Sequence, residues 1–235
     1  MIFLPKQTDT MTEQEGVIKY RLDYHVKPAR ITPGFAELNA WRALLWRIGV
    51  IGQDDARYDG LSYGNLSLLL DAGGFLITGT QTGHLPRLTP DQYAYVRQAR
   101  PEHNYLAAEG PLPPSSEALT HAAVYSADAT VRCVAHGHCP EIWQRATALK
   151  LPCTNASIAY GTPAMAQAVN TLVGTHPGQG VIVMRGHQDG LLTYGQTPEQ
   201  ACWLMLRYLA KALALTDPFA PVGEAGYAQA DCMKG

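Results

Sequence analysis

The run Val131-Arg132-Cys133-Val134-Ala135-His136-Gly137-His138 decides how the rest of the chain is read. Its short apolar opening marks a strand, and a strand sends alternate side chains to opposite faces. His136 and His138 then stand side by side on one face, as two neighbouring ligands of a transition metal do. Cys139-Pro140 closes the strand, because proline cannot continue the ladder. A lone His-x-His is also found as a polar pair on a solvated face, so the flanking segments must decide between the two.

Upstream lies Pro113-Pro114-Ser115-Ser116-Glu117, a turn placed to open a helix and present a carboxylate. Glu117 in a first helical turn is favoured by the dipole whatever its chemistry. Ser115 and Ser116 are natural caps there, and hydroxyls with N–H groups at a helix start also form an anion site. His121, one turn after Glu117, either orients that acid or packs. Downstream, Val181 to Met184 reads as a buried strand leading into Gly186-His187-Gln188-Asp189-Gly190. Three histidines and one acid thus become candidates for a single metal centre.

Three neutral imidazoles keep a divalent metal strongly Lewis acidic and leave a position open for water or a substrate oxygen. Such a centre polarises a carbonyl and stabilises an enediolate. Glu117 is then either a further ligand at rest or the acid/base that moves the proton. Zinc is the default ion, and manganese, cobalt or iron also suit imidazole.

Around this core the chain carries both helical and strand periods. Phe35, Leu38, Trp41, Leu45 and Ile48 predict a helix over 35–48 that stops at Gly49. Residues 63–70 and 74–78 read as a hairpin turning at Asp71-Ala72-Gly73. Gly79-Thr80-Gln81-Thr82-Gly83 follows, a loop whose hydroxyls and amides suit an anion or an ordinary turn equally. Thr89-Pro90-Asp91-Gln92 and Thr197-Pro198-Glu199-Gln200 each predict a capped helix start, and Thr162-Pro163 opens a third helix towards Gly174. Residues 16–25 alternate roughly, as an edge strand would. This mixture without strict alternation favours an α/β domain with a mixed or antiparallel sheet between helical layers.

The bulk properties exclude several classes. The chain of 235 residues shows no linker and no internal repeat. A net charge of −2 leaves no basic footprint for nucleic acid. There is no run long enough to cross a membrane and no signal-peptide core, so no membrane partner is expected. The five cysteines are odd in number without CxxC spacing, which reads as free thiols in a cytoplasmic protein. Charged residues, at 16%, are few, which favours an oligomer.

Taken in order, Gly64-Asn65-Leu66-Ser67, Leu76-Ile77-Thr78 with residues 80–83, Pro114-Ser115-Ser116-Glu117, His136-Gly137-His138 and Tyr160-Gly161-Thr162 resemble the class II aldolase/adducin family over roughly residues 35–215. That family includes fuculose-phosphate aldolases, ribulose-phosphate epimerases, methylthioribulose-phosphate dehydratases and the non-catalytic adducin head. The resemblance implies a single three-layer αβα domain around a mixed, largely antiparallel sheet, here over residues 31–216 with an extension at 1–30 and a tail at 217–235. It also implies a homotetramer with active sites at subunit interfaces.

By the same match His136, His138 and His187 become the metal ligands and Glu117 the acid/base. Asn65, Thr80 or Thr82, Gly83, Ser115 and Ser116 fall where the aldolases hold substrate phosphate, and Tyr227 is a counterpart of a catalytic tail tyrosine. The third ligand has two readings: aligned on Gly190, Asp189 takes its place, whereas a local bulge restores His187. The segment from Leu151 to Tyr160 is too short for the loop that carries a substrate-facing tyrosine in the fuculose enzyme. The expected activity is a metal-dependent carbon–carbon lyase acting on a small hydroxylated carbonyl compound, such as a sugar phosphate. An epimerase, dehydratase or decarboxylase on the same centre is the alternative, and a non-catalytic interaction module is the third reading.

Overall fold

Apolar residues alternate or recur every three to four positions, and the structure, a computed structural model describing residues 17–216, turns these periods into ten strands and five α-helices. In chain order they begin with β1 (Arg21–Val26), α1 (Phe35–Arg47), the two-residue strands β2 (Gly52–Gln53) and β3 (Ser62–Tyr63), β4 (Asn65–Leu69) and β5 (Phe75–Thr78). Then come β6 (Tyr93–Arg100), β7 (Tyr105–Gly110), α2 (Ala118–Ala127), β8 (Cys133–His138) and α3 (Pro140–Gln144). The series ends with α4 (Pro163–Thr175), β9 (Gly180–Val183), β10 (Gly190–Gly195) and α5 (Pro198–Ala214).

Eight strands form one sheet in the order β1-β7-β6-β5-β4-β8-β10-β9. Every neighbouring pair is antiparallel except β1–β7, which is parallel. The edge strand expected near the start is therefore real, and β8 lies inside the sheet between β4 and β10. All six residues of β8 are buried.

Alternation along β8 separates the two helical layers. Cys133 and Ala135 enter a core with Leu38 and Leu45 of α1, Ile142 of α3 and Ala201 and Met205 of α5. Val134 enters a second core with Val124 of α2 and Met165, Val169 and Val173 of α4. By the two-residue period, His136 and His138 belong to the second face, under α2 and α4. The result is helices on both faces of a mixed sheet, as expected.

The helix starts behave as local chemistry dictates, with one exception. The Thr162 hydroxyl accepts from the Met165 amide at 3.2 Å and the Thr197 hydroxyl from the Gln200 amide at 3.1 Å, each with proline in the first turn. Thr89-Pro90-Asp91-Gln92 forms only one 3₁₀ turn, although Gln92 Oε1 accepts from the Thr89 amide at 2.7 Å. The expected helix is absent because Tyr93, Ala94 and Val96 are buried in strand alternation against β5, and tertiary pairing overrides the cap. In α1 the inward stripe also differs from the apolar reading: Arg42 is buried beside Leu38 and Leu45, whereas Ile48 lies past the helix end and 39% exposed.

Candidate metal centre

Burial and register bring His136, His138 and His187 together. Their ligating atoms all lie within 4.8 Å of one another, and each side chain is at most 3% exposed. Ring centroids are 5.1 Å apart for His136–His138, 5.0 Å for His136–His187 and 4.7 Å for His138–His187. The third ring reaches the other two because Gly190 sits opposite His138 in the β8–β10 register. A Cβ at Gly190 would stand 2.9 Å from the His187 ring, so the missing side chain is the space the imidazole fills. The turn is closed by the Met184 amide donating to the Gly190 carbonyl and the Gly190 amide to the His187 carbonyl, at 2.9 and 3.0 Å.

Asp189 adopts φ of 59° and points its carboxylate elsewhere, accepting from the Tyr58 hydroxyl at 2.8 Å. Of the two sequence readings, the left-handed residue supplies the local irregularity that carries His187, not Asp189, into the cluster. The group comprises the three histidines; neither Asp189 nor Glu117 joins it.

The donor set suits a borderline divalent ion. His136 Nδ1 lies 2.9 Å from the Leu191 carbonyl oxygen, so Nδ1 carries the hydrogen and Nε2 the lone pair a metal takes. Burial, followed by the neighbouring His187, His136 and Arg57, pushes the His138 pKa well below the ordinary histidine value. The ring is therefore neutral, which is the ligating form.

Glu117 caps α2 on the face that carries the histidines and is 1% exposed. Its Oε2 accepts from the Thr120 hydroxyl at 2.7 Å. His121 does not orient this acid through a side-chain bond; its Nδ1 lies 2.7 Å from Ser67 Oγ, which is 2.6 Å from the Tyr125 hydroxyl. Burial, with His136 nearby, holds the His121 pKa well below its ordinary value, so this ring is also neutral. The turn before Glu117 is pinned to the end of β5: the Ser115 amide donates to the Thr78 carbonyl at 3.1 Å and the Thr80 amide to the Pro113 carbonyl at 2.9 Å. Ser115 and Ser116 are buried, and Thr80 is half-buried beside them.

Asn65 pairs directly with His136 across β4–β8, which puts the two side chains on one face. Its buried Oδ1 has no hydrogen-bond partner among the described residues. In the loop after β5, the Thr82 hydroxyl donates to the Gly79 carbonyl at 3.0 Å, and the Gly83 amide to Ser62 Oγ at 3.1 Å. A Cβ at Gly83 would lie 2.0 Å from the Gly52 carbonyl oxygen, so this glycine is required for packing whatever else it does. Arg42 secures the loop from α1, donating to the Thr82 carbonyl at 2.9 Å and to the Leu85 carbonyl. Burial pulls its guanidinium down to about 10.

Several neighbours of the triad carry no sequence signal. Tyr58 stands edge-on to His138 at 4.5 Å, and Tyr63 lies 5.4 Å from the same ring. The Arg57 guanidinium covers both tyrosines at 4.9 and 5.0 Å. Arg57 and Tyr58 carry no periodic signal and Tyr63 reads only as the start of a strand, so it is the fold that brings them beside His138. Tyr227 lies outside the described residues.

A family model for the Class II Aldolase and Adducin N-terminal domain matches residues 53–213, which is most of the chain. The chain belongs to this family. Among solved structures, L-fuculose-1-phosphate aldolase from Thermus thermophilus aligns with a TM-score of 0.56 at 22% identity, covering 77% of this chain and 91% of that one. A sugar-phosphate aldolase from Thermotoga maritima gives a TM-score of 0.57 at 12% identity, covering 76% and 93%. YgbL from Escherichia coli, provisionally assigned as an aldolase/epimerase/decarboxylase, gives 0.57 at 20% identity, covering 78% and 89%. Likeness at these identities concerns the fold. No curated protein matches the chain by sequence. No helix among the described residues is long and apolar enough to cross a membrane.

Proposed function

We propose that this class II aldolase-family chain is a metal-dependent carbon–carbon lyase acting on a small hydroxylated carbonyl compound, with sugar phosphates the first substrates to screen. One observation carries the reading: three buried imidazoles converge within 4.8 Å on the sheet face covered by the helix that Glu117 opens. His136, His138 and His187 would hold the ion, zinc first, with manganese, cobalt or iron also suited to imidazole. A divalent ion held there supplies Lewis acidity, which stabilises negative charge on a carbonyl oxygen.

The protein's own groups do the remainder. Glu117 takes up and returns the proton, held in orientation by Thr120 and kept from bulk water by burial. Asn65, Ser115, Ser116, Thr80 and Thr82 would contact the anionic end of the substrate. Gly83 would serve by keeping that loop against Gly52. We further propose a cytoplasmic homotetramer whose interfacial sites each receive Tyr227 as a second catalytic group. The low charge content supports the association.

Metal content of wild-type protein, His136→Ala and His187→Ala tests the centre. About one ion per chain, reduced in both variants, is expected; none in wild type after zinc or manganese is supplied would overturn it and favour a non-catalytic binding module. Product analysis by NMR tests the reaction. Two carbon fragments support cleavage, whereas a retained skeleton points to the epimerase or dehydratase reading and loss of carbon dioxide to a decarboxylase. The likeness to YgbL keeps these alternatives in view.

A further inference from the structure

His187 differs from the other two histidines in having no strand to hold it: it sits in the turn between β9 and β10. Its backbone is docked on residues 154–160 instead. The Arg185 amide donates to Thr154 Oγ1 at 3.0 Å, and Gly186 packs so closely that a Cβ there would lie 1.7 Å from the Ile158 carbonyl oxygen. From the same segment the Tyr160 ring stacks on His187, centroids 4.2 Å apart and planes within 16°. Lys19 Nζ lies 3.6 Å from the Tyr160 centroid and donates to the Tyr160 carbonyl at 3.2 Å.

An imidazole and an ammonium this near one ring centre cannot share a face, so Lys19, Tyr160 and His187 form a column with the phenol in the middle. Lys19 arrives from residues before β1, outside the part matched by the family model. Its segment is fixed a second time where the next residue, Tyr20, donates its hydroxyl to the Ser115 carbonyl at 2.8 Å.

We propose that Tyr160 is a positioning residue that sets the ring of His187, and that Lys19 clamps Tyr160 in place by a cation–π contact. The proposal rests on the metal reading given above. A flat ring against His187 restricts its rotation, and the cation on the far face holds that ring down. The N-terminal segment thereby contributes to the third ligand without touching the ion.

The test measures zinc affinity by competition with a chromophoric chelator, and the visible spectrum of the cobalt-loaded protein. Tyr160→Phe keeps the aromatic face and should stay within about threefold of wild type. Tyr160→Leu should bind roughly ten- to a hundredfold more weakly, as loss of a ligand's orienting partner does. Its cobalt spectrum should shift towards that of His187→Ala, which simple loss of stability would not produce. Lys19→Met should weaken binding about threefold to tenfold. Unchanged affinity and spectrum in Tyr160→Leu overturn the proposal; if that variant fails to fold, unchanged values in Lys19→Met overturn it. Wild-type protein that takes up neither ion overturns the metal centre itself, which is a separate failure.

Discussion

At the scale of single residues, Glu117 and Thr120 separate binding from turnover. Glu117→Gln preserves shape and lies outside the histidine cluster, so metal content should remain while kcat falls about a hundredfold or more. Full turnover in that variant would remove Glu117 from the chemistry. Thr120→Val deletes the hydroxyl that donates to Glu117 Oε2 and should lower kcat about tenfold with KM little changed, since a hydrogen bond to a charged group contributes about 1.5–3 kcal/mol. A second prediction concerns acid. His121 and His138 are buried neutral, with pKa values held well below 6.5, whereas the unfolded chain protonates them at their ordinary value. The unfolded state therefore binds more protons below about pH 6.5, and metal-free protein should lose roughly 1.4 kcal/mol per pH unit for each histidine. Urea midpoints recorded between about pH 7 and pH 5 give the slope; a flat profile would show that these rings are not buried neutral.

At the scale of elements, the loop after β5 is held by sterics as much as by hydrogen bonds. Gly83→Ala would drive a methyl into the Gly52 carbonyl, and on the order of 3 kcal/mol should be lost in a denaturant melt, with the loop displaced. A midpoint equal to wild type would mean that β2 can retreat. The same loop shows what a sequence reveals. Its glycines and threonines suit an anion or an ordinary turn equally, and the Gly83 amide is engaged by Ser62, a partner distant in sequence that the loop itself does not reveal. Strand β8 was legible because its period and its Pro140 stop are local, and so were α4 and α5 through Thr162-Pro163 and Thr197-Pro198. Strands β7 and β10 were not: Tyr105-Leu-Ala-Ala-Glu-Gly and Gly190-Leu-Leu-Thr-Tyr-Gly lack clean alternation because their burial depends on neighbours. That His187 rather than Asp189 lies beside His136 and His138 was not legible, because the turn that holds them includes a left-handed residue, Asp189, which no spacing rule encodes.

For the whole molecule, light scattering should report about four times the 25.5 kDa chain if the proposed tetramer forms. Tyr227→Phe should then lower kcat while mass and metal content stay as in wild type. A fully active monomer would place the complete active site within one chain and exclude the interfacial arrangement. The strand order carries a further consequence for how the protein is made. Among the described residues, strand β1 pairs only with β7, Arg21 meeting Tyr105 and Val26 meeting Gly110, so β1 has no sheet partner until the chain has run on to β7. Such distant pairing is slow to form, and an edge strand with one neighbour is readily left waiting. Synthesis therefore runs against the order of assembly: Lys19 and Tyr20 emerge before their partners Tyr160 and Ser115, which must be translated before either hydrogen bond can form.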